Sequence, residues 1–355
     1  MQATLSQIAE EAGVSVSLVS RLLRSDKTLR VTTATRRKVL QAERRLGGAR
    51  VRTRIAPVGA RRRSIIVPIN RVYETQPVQR LLVESISGTF LRNFEQRLTA
   101  SDYRLGFTFF DEHRKLEEFE QTMQSGGFCD GLLLLSGVVN EAVAEQLVTN
   151  RYPHVAIGEQ GERFAVNSVS AYAAGGIKQA VAHLRELGHT QIAYAGAGGN
   201  ESRFGLFLAA LATEGLPVRS DGHCDLSPQG PDASVEQWCQ QIRGEIAQWL
   251  DHPTGVTALI CSNDTVALAV RDAAHQKGLR VGRDLSIVGY DNAEVHGPHQ
   301  VERPILTTID NPVEQIGLRC ADLLIAQVEG RHAGVVHEQI PTRFIVREST
   351  GPVPG

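Results

Sequence analysis

Apolar residues at Leu5, Ile8, Ala9 and Ala12 fall at helical spacing behind Thr4, a residue type that caps helices, and the run stops at Gly13. A second helix is predicted after Ser15, with Val19, Leu22 and Leu23 on its inner face. A third, capped by Thr32 or Thr33, runs through Val39, Leu40 and Ala42 to Leu46 and ends at Gly47-Gly48. The pattern predicts three short helices sharing one small core in residues 1–48.

Beyond Ser64 the pattern changes. Short apolar runs at 65–67, 104–110, 131–135, 154–157, 191–195, 258–261 and 285–289 alternate with longer amphipathic stretches. Buried strands alternating with helices imply parallel sheets covered on both faces. The number of runs implies two such α/β units with a cleft between them. The expected fold is therefore an all-α headpiece followed by a two-lobed α/β body.

A length of 355 residues calls for two or three globular units. No apolar stretch reaches the roughly 20 residues a bilayer crossing needs, and Glu10 and Glu11 interrupt any leader-like core, so a cytoplasmic chain is expected. The five cysteines are scattered without metal-site spacing and read as reduced packing groups. Charge is distributed unevenly: residues 1–63 hold 15 Lys and Arg against 4 Asp and Glu, net +11, while the remainder is net −12. A basic segment on an acidic body is an electrostatic footprint of nucleic-acid binding, although a solvated basic tail has the same composition.

Chemistry on the second predicted helix separates those alternatives. In a helix-turn-helix the first residues of the second helix enter the major groove. Val16, Ser17 and Arg21 occupy that surface; arginine donates two hydrogen bonds to guanine, and a small apolar group touches a thymine methyl. Candidate DNA-facing residues are Thr4, Ser15, Val16, Ser17, Ser20, Arg21, Arg24 and Thr32. Residues 49–63 form a basic linker, in which Arg52 and Arg54 are expected on phosphates.

The stretch Thr4 to Ser15, followed by Val19-Ser20-Arg21-Leu22-Leu23, Val31-Thr32, Arg36 and Val39-Leu40, resembles the headpiece of the LacI/GalR family of repressors. The resemblance continues through Asp130-Gly131-Leu132-Leu133, Leu187-Gly188-His189, Ser262-Asn263-Asp264, Val288-Gly289-Tyr290-Asp291-Asn292 and Leu306-Thr307-Thr308-Ile309 to about Arg347. It implies a periplasmic-binding-protein-like effector and dimerisation domain over residues 64–347, followed by a tail at 348–355. Three crossings, near Ala171, Pro312 and Gln339, divide it into lobe one (about 64–171 and 313–338) and lobe two (about 172–312 and 339–347). It also implies operator DNA and a small polar effector as partners, a homodimer, and no cofactor. The family's Tyr-x-Pro-Asn segment and hinge leucine are absent here; the resemblance implies Ile55 as the wedge at a base step in that leucine's place, and Pro57 would interrupt a hinge helix.

Ligands of open α/β sheets bind beyond the carboxyl ends of strands. Arg203, Asn263 and Asp291 follow predicted strands and match family ligand positions; Asn70, Arg71, Ser136 and Glu159 are the candidates from lobe one. Asn and Asp after strands also serve as turn formers and caps. Missing aromatic positions argue against a simple stacked sugar, and Arg203 with Arg71 suits an anion, leaving sugars, sugar acids and related polar metabolites as effectors. An enzyme is not expected: Gly196-Ala197-Gly198-Gly199-Asn200-Glu201 departs from the dinucleotide pattern, and neither H-E-x-x-H nor G-x-S-x-G occurs. The rival classes are a solute-binding protein, which needs an export signal and no basic headpiece, and a DNA-binding protein indifferent to ligand.

Overall fold

A computed structural model describes residues 4–23, 29, 31–46, 63–70, 77–110, 129–135, 140–158, 160–197, 201–226, 235–251, 255–296, 300–332 and 334–354. The chain forms two compact units, residues 1–62 and 63–355.

In the first unit, α1 (Leu5–Ala12), α2 (Val16–Leu23) and α3 (Thr33–Arg45) pack around Ile8, Ala9, Ala12, Val19, Leu22, Val39 and Ala42. Local chemistry sets the helix ends. Thr4 and Gln7 exchange backbone bonds in a capping box, with Thr4 N–H on Gln7 Oε1 at 2.8 Å and Gln7 N–H on Thr4 Oγ1 at 3.3 Å. Gly13 turns the chain at φ +64°, a left-handed conformation that costs glycine nothing. Ser15 Oγ accepts Leu18 N–H at 3.2 Å and caps α2. Thr32 rather than Thr33 caps α3, its Oγ1 accepting Thr35 N–H at 3.1 Å.

Among its described residues, the second unit contains two six-stranded sheets. Lobe one has β1 (Ser64–Asn70), β2 (Arg104–Phe110), β3 (Gly131–Leu134), β4 (His154–Ile157), β5 (Ser168–Tyr172) and β11 (His337–Pro341), in the order β11-β5-β4-β3-β1-β2, all parallel. Lobe two has β6 (Ile192–Ala197), β7 (His223–Leu226), β8 (Ala258–Cys261), β9 (Ser286–Tyr290), β10 (Thr307–Asp310) and β12 (Arg343–Ile345), in the order β12-β10-β9-β8-β6-β7, with β12 antiparallel to β10.

Alternate residues of each strand feed separate cores on opposite faces, so the central strands are apolar on both sides. In lobe one, Ile65, Val67 and Leu133 meet α4 (Pro77–Thr99) and α12 (Val313–Val328), while Ile66, Leu132 and Leu134 meet α5 (Glu141–Thr149); α6 (Gln160–Phe164) lies between β4 and β5. In lobe two, Ala193, Leu259 and Ile287 meet α9 (Val235–Leu250) and α10 (Asp264–Gln276), while Ile192, Ile260 and Val288 meet α7 (Ala173–Glu186) and α8 (Glu201–Thr213).

The chain passes between lobes after β5, after β10 and after β11. The third passage lies later than expected from the sequence: Gln339 and Ile340 are still in register with Ser170 and Ala171, Ile340 is buried in the lobe-one core, and lobe two resumes at Arg343. The expected tail at 348–355 is also corrected, because residues 349–353 are woven into lobe two. Ser349 Oγ accepts Thr307 N–H at 2.7 Å and donates to Ile287 O at 2.7 Å, and Val353 N–H reaches Leu187 O at 2.9 Å.

His189, fully buried, anchors this segment. Its Nε2 is 2.9 Å from Gly351 O and its Nδ1 is 2.8 Å from Thr257 Oγ1. A carbonyl only accepts, so Nε2 carries the proton and Nδ1 accepts the Thr257 hydroxyl proton. Burial holds the imidazole below its ordinary pKa, in the neutral form this pairing requires. Deleting residues 348–355 removes the Gly351 bonds of His189 and Ser286 and the Ser349 bonds of Thr307 and Ile287, and is expected to lower stability by about 3 kcal/mol or more, measured by urea denaturation of the truncated and full chains.

Candidate functional site

On α2 the apolar positions Val19 and Leu22 are buried, which turns Val16, Ser17, Ser20 and Arg21 toward the other face. Val16, Ser17 and Arg21 are exposed and Ser20 is half-buried. Val16 is 44 % exposed at the start of the helix, an apolar group with no core to fill. The hydroxyls of Thr4, Ser15 and Thr32 are engaged in helix caps. Arg24, Arg52, Arg54 and Ile55 lie outside the described residues.

In the body, strand order brings Arg203, Asn263 and Asp291 to one end of the lobe-two sheet. Arg203 stands near the start of α8, Asn263 after β8 and Asp291 after β9, and β6, β8 and β9 are neighbours. The Arg203 guanidinium donates through Nη1 to Ser262 O at 2.6 Å and lies over the Tyr290 ring, its Cζ 3.9 Å from the centroid. Asp291 is buried, and desolvation pushes its carboxyl up to about 6 against the opposing pull of Arg203 and of the Asn311 amide, whose Nδ2 donates at 3.2 Å. Asn263 caps α10, its Oδ1 accepting Val266 N–H at 2.9 Å, so its amide nitrogen is the end left by the cap. The lobe-one candidates are not placed: Arg71, Ser136 and Glu159 lie outside the described residues, and for Asn70 only the backbone at the end of β1 is described.

Asp264, Asn292 and Asp310 were not assigned roles from the sequence, yet they shape the site. Asp291 and Asn292 are consecutive non-glycine residues at φ +104° and +56°, conformations costing about 1 to 3 kcal/mol each. The buried Asp264 carboxylate holds the chain there: Oδ2 accepts Ala293 N–H at 2.6 Å, at the start of α11 (Ala293–His296), and Oδ1 accepts the Thr308 hydroxyl at 2.7 Å. Asn292 donates through Nδ2 to Asp310 Oδ1 at 3.0 Å and accepts from Arg347 Nη2 at 2.8 Å, while Arg343 reaches Asp310 at 2.9 Å. The turn bearing Asp291 is thereby bonded to residues flanking the second and third lobe crossings. The polar run Ser262-Asn263-Asp264 after an apolar strand was the available signal for Asp264; its partners come from distant segments.

Gly289 completes the arrangement, since a Cβ there would stand 1.9 Å from Asp264 Oδ1. Gly289→Ala is expected to cost about 2 kcal/mol or more by overpacking, read as a fall in urea midpoint. Burial raises the Asp264 carboxyl from 3.8 to about 8. A group whose folded pKa lies above its unfolded value contributes stability at low pH that is lost as pH rises through the folded value. Melting temperature should therefore fall between pH 6.5 and 8.5, and fall less in Asp264→Asn; equal slopes in the two proteins would refute the assignment.

A family model described as bacterial regulatory proteins, lacI family, matches residues 4–47, and one described as a periplasmic binding protein-like domain matches residues 181–350. Catabolite control protein A of Priestia megaterium is 26% identical over 99% of this chain and 100% of its own length. The ribose operon repressor of Halalkalibacterium halodurans is 27% identical, covering 98% of this chain and 97% of the relative. The crystal structure of a regulatory protein of LacI family from Chloroflexus aggregans superposes with a TM-score of 0.67 at 27% identity, covering 81% of this chain and 98% of that one. Headpiece, two-sheeted body and full-length relatives agree, and the chain belongs to the LacI family of bacterial regulatory proteins.

Proposed function

We propose that this chain is a transcriptional repressor that reads operator DNA with α2 and whose operator affinity is set by a small polar effector held at the carboxyl ends of the lobe-two strands. The observation that carries the reading is the pairing, in one chain, of a helix-turn-helix with an exposed polar reading face and a body with a buried, strained polar turn at its strand ends. Ser17, Ser20 and Arg21 face base edges, with Val16 against a thymine methyl; Thr4, Ser15 and Thr32 approach phosphates while capping their helices, joined by Arg24 and by Arg52, Arg54 and Ile55 of the linker. Arg203, Asn263 and Asp291 hold the effector from lobe two, and Asn70, Arg71, Ser136 and Glu159 complete its site from lobe one.

Two chains pair so that two headpieces address a near-palindromic operator, as twofold symmetry requires. A relative named for a ribose operon puts sugars first among the candidate effectors. The chain acts by binding: effector preference for one lobe arrangement shifts the population competent for DNA. Arg21→Ala is expected to weaken binding to an operator selected from random duplex by about 1 to 3 kcal/mol, while affinity for bulk duplex changes far less. Fluorescence anisotropy at fixed salt measures both; an equal loss on the two duplexes would reduce Arg21 to a phosphate contact.

A further inference from the structure

The strands of lobe one begin at Ser64, Arg104, Gly131, His154, Ser168 and His337. They are parallel, so these starts share one end of the sheet, away from the carboxyl ends where the effector candidates lie. The basic linker runs into the body at that end, through Arg63 and Ser64. The junction is gripped from both sides. On the β2 side, Arg63 O accepts Arg104 N–H at 2.8 Å. On the β3 side, Ser64 and Asp130 bond reciprocally, Ser64 N–H reaching Asp130 Oδ2 at 2.9 Å and Asp130 N–H reaching Ser64 O at 2.7 Å.

The Arg63 side chain adds a third hold. Its Nη1 donates to Ser101 O at 3.2 Å and its Cζ lies 5.4 Å from the centroid of the Tyr103 ring, within the range at which a cation is drawn to an aromatic face. Tyr103 is a fixed platform: it is 3% exposed and belongs to the same core cluster as Phe94 and Leu98. Ser101 O is presented by a turn in which Asp102 adopts φ +61°, a left-handed conformation that Asp tolerates better than most residues. Tyr103 N–H on Leu98 O at 3.0 Å and Arg97 Nη1 on Ser101 Oγ at 2.6 Å hold that turn. Arg63 is exposed, yet its charge is folded back onto the body and not extended toward solvent as a phosphate contact requires.

Where the junction is held decides how far the linker reaches. An extended residue spans about 3.3 to 3.6 Å and successive base pairs stand about 3.4 Å apart, so each residue released lengthens the linker by about one base-pair step. Freeing Arg63 and Ser64 in both chains of a dimer adds about four steps of reach, and a tethered pair binds jointly only while its tether matches the span. On the repressor reading above, on which this inference rests, we propose that Arg63 and Asp130, with the Tyr103 ring as platform, are positioning residues for operator recognition. They fix the point from which the linker leaves the body, and so set the half-site spacing that a pair of headpieces accepts.

The test is fluorescence anisotropy of the full-length protein, at fixed salt, on the operator selected from random duplex and on the same operator with two base pairs inserted at its centre. The parent is expected to bind the lengthened operator at least about tenfold more weakly. Asp130→Ala and Arg63→Gln should each lose less than about threefold on the same insertion, while Asp130→Asn, which keeps an acceptor for Ser64 N–H, should discriminate like the parent. The ratio of the two affinities cancels both the charge removed with Arg63 and any loss of active protein, so a merely structural role in holding β1 leaves it unmoved. Arg63→Gln alters an exposed side chain and keeps the test open should Asp130→Ala fail to fold. Parent-like discrimination in Arg63→Gln or in folded Asp130→Ala overturns the inference, as does an Asp130→Asn protein that accepts the insertion as readily as Asp130→Ala. A parent that prefers its operator but accepts the inserted pairs without loss overturns it too, and leaves the repressor reading standing. A parent with no preference for any operator over bulk duplex contradicts that reading itself.

Discussion

The carboxyl group of Asp264, buried between β8, β9 and β10, is the acceptor on which the strand-end turn of lobe two depends. It takes the Ala293 N–H and the Thr308 hydroxyl, and so offsets the cost of two successive left-handed residues at Asp291 and Asn292. Burying a carboxylate is itself unfavourable, as the upward pKa displacement shows. Stability alone would favour an apolar residue and a relaxed turn. What the arrangement secures is a fixed direction for the Asp291 side chain and a rigid link through Asn292 to Asp310, Arg343 and Arg347. A ligand that bonds to Asp291 therefore acts on a turn already tied to two of the three lobe crossings.

Much of this fold was legible in the chain because its signals are local. Thr4, Gly13, Ser15 and Thr32 set the headpiece helices through bonds spanning three to five residues, and such bonds follow directly from residue order. The central strands β1, β3, β4, β8 and β9 are apolar on both faces and stand out as continuous runs. The strands β5, β7, β10, β11 and β12 did not: Ser168 and Ser170, His223, Thr307 and Thr308, and Glu338 break their apolar pattern. Their polar residues are satisfied by partners far away in sequence, as Ser168 is by His337 and Thr307 by Ser349. The same cause hid the final segment, which looks like a polar tail until His189 and Ser286 are seen to bind Gly351.

The site was legible in part, and for a related reason. A polar residue just past a strand run marks a strand end, which is how Arg203, Asn263 and Asp291 were found and brought to one place. The position says nothing about the bond the residue makes, so the capping role of Asn263 and the supporting roles of Asp264 and Asn292 required the structure.

The central claim is that occupancy of the lobe-two strand ends governs DNA affinity. Operator affinity, measured by anisotropy at one salt concentration with and without whichever sugar of a panel of neutral and acidic sugars most raises the melting temperature, tests it directly in the parent and in Asp291→Ala. The account predicts a change of at least about tenfold in the operator Kd of the parent on adding sugar and less than about twofold in the variant. A sugar that stabilises the parent while leaving its operator Kd unchanged would contradict it.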